Sequence, residues 1–370
     1  MTRRIVVAPD SFKGSISAAD AAVAIAEGWV RAAPGDRFTL RPMADGGEGT
    51  LDAFEKAVPG SKRMSVRVTG PAGRAVTAAW LRLPAEDGLP GGTGVVELAS
   101  TSGIELLGDD LRPRDASTLG FGQAIAAALD AGVSRLVLGI GSSASTDGGT
   151  GMLTALGARF QNDFGASTVP GSAGLDELAS ADLSSLRALP AGGATVLSDV
   201  TNPLTGDRGA AAVFGPQKGL DEAGVARADA GLARLAEVLG RASLAGEPGA
   251  GAAGGTGFAL RVWGAELVPG SVAIAELTGL AEGIAGADLV VTGEGRFDGQ
   301  SAEGKAPAHV ADLARTAGVP VALVAGAIDG DTAAFAGSAA LTEIAGSTEA
   351  ALADPARWLR EAGALLAGAV

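Results

Sequence analysis

The run GIGSSASTDGG, Gly139 to Gly149, places four glycines, four Ser/Thr hydroxyls and one carboxylate between an apolar stretch at 135–138 and a helix-like segment at 150–156. Glycines let backbone N–H groups turn inward, and a helix N-terminus adds partial positive charge. Such a turn is a cradle for an anion, phosphate first. The backbone of Gly141–Gly149 is the expected cradle, with Ser142, Ser143 and Ser145 as side-chain donors beside Asp147, Gly148 and Gly149. A β-branched residue there should block phosphate, so Gly149→Val is expected to weaken nucleotide binding at unchanged thermal stability.

Four more runs share one logic, a buried strand followed by acid, glycine and a polar or basic residue. They are APDSFKGS (8–15), MADGGEGT (43–50), SDVTNPL (198–204) and TGEGRFDGQS (292–301). Ligands of open α/β sheets bind at the carboxyl ends of strands, so the five runs are expected to converge on one cleft. The plain alternative is that Asp and Gly here only mark turns and caps. The runs supply Lys13, Arg296 and Lys305 as cations, and Asp10, Asp45, Asp147, Asp199 and Asp298 as acids. That inventory suits phosphoryl transfer, which needs a phosphate cradle, cations, Mg²⁺-binding carboxylates and an acid to position a hydroxyl.

Within that chemistry Asp199, at the end of the strand Ala194–Ser198, is expected to orient the acceptor hydroxyl. Asn202 stands three residues on, so Asp199 and Asn202 are also the candidate Mg²⁺ ligands. Lys13 is expected to neutralise charge in the reaction, and Arg296 to fork a substrate carboxylate beside Asp298, Gln300 and Lys305. Asp10, Ser11, Asp45, Gly46 and Gly47 complete the substrate side. Asp298 and Asp45 remain rivals to Asp199 as base, and the residues do not say which loop holds adenine.

Two motifs mislead. Gly249-Ala-Gly-Ala-Ala-Gly254 fits G-x-G-x-x-G but follows a Glu-Pro turn rather than a strand. Gly299-Gln-Ser-Ala-Glu-Gly-Lys305 begins like a P-loop, yet Ala306 stands where Ser or Thr should meet Mg²⁺.

Composition narrows the chemistry further. The 370 residues carry a net charge of −14, which argues against nucleic-acid or anionic-membrane partners. There is no cysteine and one histidine, His309, so thiol catalysis and multi-His zinc sites are out. Any metal must be held by oxygen, which favours Mg²⁺. His309 reads as a packing or surface residue, and Trp29, Trp80, Trp263 and Trp358 as core fillers. No apolar window approaches the ~20 residues of a membrane span, and a cytoplasmic protein is expected. Oligomeric state is open.

The elements that must position these runs follow from periodicity. Strands are expected at 4–8, 38–42, 64–68, 76–83, 94–98, 135–138, 194–198, 288–292, 320–325 and 340–344. Helices are expected from Ser17 onward, at 118–131, near 221–242, at 305–317 and at 355–367. Sequential βα units at both termini predict a Rossmann-like, doubly wound parallel domain from 1–65 plus 285–370. The alternating strands after 64 predict an inserted α/β domain with a mixed sheet at 66–284.

Taken in order, APDSFKGS, MADGGEGT, GIGSSASTDGG-TGM, SDVTNPLTGDRGAAAVFGPQKG, GAGAAGGTG and TGEGRFDGQSAEGKAP closely resemble the bacterial type I glycerate kinases (glycerate 2-kinases) over almost the whole chain. The resemblance implies two α/β domains and ATP- and Mg²⁺-dependent phosphorylation of D-glycerate. It implies 2-phosphoglycerate as product ahead of 3-phosphoglycerate, in glyoxylate, organic-acid or sugar-acid catabolism. One departure is placed at Ser143, where many members have Gly in GIGGSAT. The loop also resembles the Gly-Leu-Gly-Ser-Ser-Ala loop of GHMP-type kinases, but no other motif of theirs is present. The competing reading is a non-catalytic protein that senses a sugar acid in the same cleft.

Overall fold

The computed structural model describes residues 2–12, 14–298 and 306–370. The named strands, in chain order, are β1 (Arg4–Pro9), β2 (Arg37–Leu40), β3 (Lys62–Thr69), β4 (Ala75–Arg82), β5 (Thr93–Glu97), β6 (Arg135–Gly139), β7 (Arg159–Gln161), β8 (Ser180–Asp182), β9 (Ala194–Leu197), β10 (Glu266–Val268), β11 (Leu289–Phe297), β12 (Val321–Ile328) and β13 (Gly337–Ala340). The chain divides into two compact units. One holds Met1–Ala44, Asp52–Pro59 and Ser271–Val370, and the other Asp45–Leu51 and Gly60–Gly270.

The first unit is built on a five-stranded sheet in the order β13-β12-β11-β1-β2. All four pairings are parallel. Alternation along β1 assigns the two faces: Ile5 and Val7 enter one core, Val6 and Ala8 the other. Both faces are therefore dry, which is why the strand reads as an unbroken apolar run. Helices Ala18–Ala32 and Pro355–Ala369 supply Ile25, Trp29, Leu359 and Leu366 to the first face. Helix Ala306–Thr316 supplies Val310 and Ala314 to the second. Ser17 caps the first helix, its hydroxyl accepting from the Asp20 N–H at 3.1 Å. The strand order reverses between β1 and β11, the switch point at which doubly wound sheets open a crevice.

The second unit carries a six-stranded sheet, β10-β9-β6-β5-β4-β3. Its β10, β9, β6 and β5 run parallel, and β4 and β3 close one edge as an antiparallel hairpin. The core includes Trp80, Phe121, Leu138, Phe258 and Trp263. Helix Leu119–Asp130 crosses from β5 to β6. The carboxyl ends of β5, β6 and β9 thus share one edge of the sheet.

Two element readings need correction. The strand expected at 340–344 lies at Gly337–Ala340, and Leu341–Ala345 is helical, closed by Gly346 in the left-handed region (φ 81). The strand expected to end at Thr292 runs on to Phe297, because Arg296 and Phe297 pair with Ala327 and Ile328 of β12. Unit limits also differ from 65 and 285. Residues 60–65 go with the second unit, as β3 pairs along its length with β4, while Leu280 and Ile284 pack into the first unit's core. Among the described residues no helix is long and apolar enough to cross a membrane.

Candidate active site

In the second unit three of the sequence runs meet at the carboxyl edge of the sheet. The turn after β6 is tied to MADGGEGT by the Gly141 N–H donating to the Gly46 carbonyl at 2.9 Å. Asp45 caps its own turn, accepting from the Gly47 N–H at 3.0 Å. Asp199 follows β9, and its Oδ1 accepts from the Gly270 N–H at 2.8 Å. Between these segments lies a cavity of about 320 Å³. Its polar wall holds Asp45, Gly141, Ser142, Ser143, Asp199 and Lys218, and its apolar wall Ile140, Leu197, Val200 and Phe214.

Asp199 stands at the solvent side of the cavity, yet its carboxyl is pushed above the usual carboxylate range. Partial desolvation is the main cause, opposed by the Gly270 N–H and reinforced by the negative charge of Asp45. Two carboxylates that repel each other across a small space are a standing invitation to a cation.

Lys218 is the residue that strand-end reasoning missed. It is 3 % exposed, on a short turn at Pro216–Lys218 that follows a helix rather than a strand. Its Nζ donates to Ser143 Oγ at 2.8 Å and to the Ser145 carbonyl at 2.6 Å. Burial lowers its pKa to about 8, against the pull of Asp147. The run FGPQKG shows the lysine in the sequence, but nothing local says that it folds under the 142–145 loop.

The loop itself is divided. Gly141, Ser142 and Ser143 line the cavity, whereas Ser145, Asp147, Gly148 and Gly149 do not. Asp147 is fully buried and accepts from Thr118 N, Thr118 Oγ1, Gly149 N, Gly151 N and Ser145 Oγ. It organises the loop and does not line the cavity. The irregular backbone falls at Ser142, with φ 58, and not at Ser143. Laid on GIGGSAT, the family's glycine also stands at 142. The L side chain at that angle costs on the order of 1–2 kcal/mol.

Gly149 (φ 74) illustrates the correction best. A Cβ there would lie 2.4 Å from the Ala259 Cβ and 3.2 Å from the Thr256 Cα. The misleading GAGAAG run explains this. Ala253, Gly254 and Gly255 are all left-handed, and a Cβ on Gly254 would sit 2.0 Å from the Ser145 carbonyl oxygen. The glycines serve loop-on-loop packing. Gly149→Val should therefore lower the melting temperature by several degrees, the cost of ~1–3 kcal/mol of overpacking plus φ strain. A melt within a degree of wild type, with nucleotide binding lost, would restore the phosphate-blocking expectation.

Asn202 does not reach the cavity. Its Nδ2 donates to the Arg208 carbonyl at 2.8 Å, so it closes its own loop, and Asp45 takes the place beside Asp199. In the first unit APDSFKGS and TGEGRFDGQS lie side by side at the switch point, the Asp10 N–H donating to the Gly293 carbonyl at 2.7 Å. Asp10 Oδ1 accepts from the Ser11 N–H at 2.7 Å. Arg296 lies on β11, exposed and paired to Asp329 at 2.8 Å, and Asp298 follows directly after that strand. Lys13, Gln300 and Lys305 lie outside the described residues.

Two α/β units with parallel cores, their polar runs at strand carboxyl ends, and a cavity that joins a carboxylate pair to a Gly/Ser turn and a buried lysine define an α/β enzyme of the small-molecule kinase class. The chain belongs to the glycerate kinase family, which it matches over residues 5–370. A glycerate kinase of Halalkalibacterium halodurans is 42% identical over 333 residues, 88% of this chain and 85% of the relative. A glycerate 2-kinase of Escherichia coli K12 is 41% identical over 336 residues, covering 89% and 86%. A crystal structure from Salmonella typhimurium LT2, of a protein assigned as glycerate kinase 2, superposes with a TM-score of 0.83 at 37% identity. It covers 100% of this chain and 98% of its own.

Proposed function

We propose that the chain transfers the terminal phosphoryl group of ATP to O2 of D-glycerate, giving 2-phosphoglycerate and ADP. The observation that carries the reading is the cavity at the edge of the second sheet, where Asp45 and Asp199 face a Gly/Ser turn and a buried ammonium. Family membership supplies the substrate class.

Asp199 has one oxygen anchored by Gly270, which fixes the carboxylate's orientation. Its other oxygen accepts no hydrogen bond among the described residues and can take the acceptor hydroxyl. A loose phosphoryl-transfer transition state asks little of a base, so holding that hydroxyl in line is the main contribution. The Ser142 hydroxyl and the backbone N–H groups of Ser142 and Ser143 offer neutral donors to phosphate oxygens. The donor set also fits Mg²⁺. Among the described residues no cluster of three acidic or histidine groups exists, and Mg²⁺ is commonly held by one or two carboxylates together with substrate phosphates. Asp45 and Asp199 would be those carboxylates. Bound Mg²⁺ supplies neutralisation of phosphate charge.

The test is ADP release on mixing the protein with ATP, Mg²⁺ and D-glycerate, with the product's ³¹P spectrum placing the phosphate on O2 or O3. D-glycerate-dependent ADP is expected. Saturable glycerate binding with no ADP would make the protein a sensor. Turnover of a phosphoglycerate without ATP would make it a phosphatase or lyase.

A further inference from the structure

We propose that Lys218 binds the phosphate oxygens of the donor nucleotide, one ammonium both tying the 143–145 loop and gripping the ligand. The inference rests on the phosphotransferase reading and deepens it.

Among the described residues Lys218 is the only buried lysine or arginine. An ammonium has three N–H donors. Two go to neutral acceptors, Ser143 Oγ and the Ser145 carbonyl, and the side chain borders the cavity. That leaves one donor and a full charge beside a space large enough for phosphate groups. Among the described residues no carboxylate pairs with it within salt-bridge distance. Asp147 acts on it only through space, and the Asp147 carboxylate is already filled by donors of the loop and of Thr118. A buried charge without an ionic partner is costly. An anion entering the cavity removes that cost, so it binds the site's charge as well as its shape.

A proton linkage follows. The lowered pKa of about 8 leaves part of the Lys218 population neutral in mildly alkaline solution. An anion beside Nζ favours the charged form and draws a proton in. The other charged groups around Nζ are Asp147, buried within the loop and acting through space, and Asp45 and Asp199 on the cavity wall. The sign is then fixed: phosphate affinity is full below pH 8 and falls as pH rises through it.

Calorimetric titration of the full chain with the β,γ-imido analogue of ATP and with tripolyphosphate, glycerate absent, tests this. Wild-type affinity should weaken about tenfold between pH 7 and pH 9, the factor for one group near pKa 8. Binding at pH 8.5, compared in two buffers of different ionisation heat, should take up about three-quarters of a proton. Lys218→Met should bind ~10–100-fold more weakly at pH 7, the loss of one charge-assisted hydrogen bond. The variant should also lose Lys218's part of the pH dependence and of the proton uptake. The ligand's own titration is common to both proteins, so the difference belongs to Lys218. A folded Lys218→Met that binds like wild type, or no uptake in wild type, overturns the proposal. Should Lys218→Met fail to fold, the wild-type uptake and pH profile still decide. If Lys218→Met instead loses D-glycerate binding and keeps tripolyphosphate, the lysine serves the acceptor carboxylate and the phosphate assignment is wrong. Wild-type ADP release with glycerate, measured alongside, separates failure of this inference from failure of the kinase reading.

Discussion

Asp199→Asn should lower kcat for glycerate phosphorylation by ~10²–10⁴-fold, the usual range for a group that manages the reacting proton, with glycerate binding largely kept. The substitution preserves size and the oxygen that accepts from Gly270, so the turn after β9 should hold its shape. What disappears is the negative charge on the oxygen left for the substrate hydroxyl. The raised carboxyl pKa, caused first by desolvation and then by Asp45, means that this proton acceptor is already more basic than an exposed aspartate. Asp45→Asn is the paired variant, and Asp298→Asn the comparison from the first unit. If Asp199→Asn regains activity at high Mg²⁺, Asp199 is a metal ligand. The hydroxyl-orienting role then passes to Asp45 or Asp298. Circular dichroism before kinetics guards against a folding artefact. An Asp199→Asn enzyme within threefold of wild type would remove the residue from the chemistry.

The strands were legible because both faces of the first sheet are buried, so β1, β11 and β12 read as continuous apolar runs. The edge hairpin β3–β4 was legible because half of it alternates. The place of Asp199 beside the cavity was legible for the same reason: it is the first acid after a buried strand, and that position lies at the carboxyl edge of a parallel sheet. What escaped depends on contacts far apart in sequence. Lys218 sits 75 residues from its Ser143 partner, on a turn that follows no strand. The loop 139–149 looked uniform in composition, yet only 140–143 meet the cavity. The rest is pressed against Ala253–Gly255, and a glycine that lets backbones touch is spelled like one that lets a phosphate in. Asn202 looked like a helper for Asp199 because it is three residues away, a spacing that means proximity on a helix and nothing on an extended turn. The strand expected at 340–344 was misplaced by a few residues because a strand and a helix abut there without a loop.

Asp147→Ala should lower the stability of the second unit by about 4 kcal/mol. The carboxylate lies fully buried at the start of two helices, Leu119–Asp130 and Thr150–Ala155. It accepts from the backbone N–H groups of Thr118, Gly149 and Gly151 and from two hydroxyls. Removal leaves two buried N–H donors, those of Thr118 and Gly149, and the half-buried one of Gly151 without an acceptor, each buried one costing ~1–3 kcal/mol, with some recovery by relaxation. For a unit of this size the melting temperature should fall by roughly 10 °C. Asp147→Asn, which keeps one acceptor oxygen but turns an amide toward donors, should fall part of the way. A second effect separates this role from ligand binding. The Asp147 charge is what holds the Lys218 pKa up against burial, so the alanine variant should carry a more neutral lysine. Its affinity for tripolyphosphate should then begin to fall at lower pH than in wild type. A variant that melts like wild type and loses nucleotide at every pH would show instead that Asp147 meets the ligand directly, as its place in the Gly/Ser run first suggests.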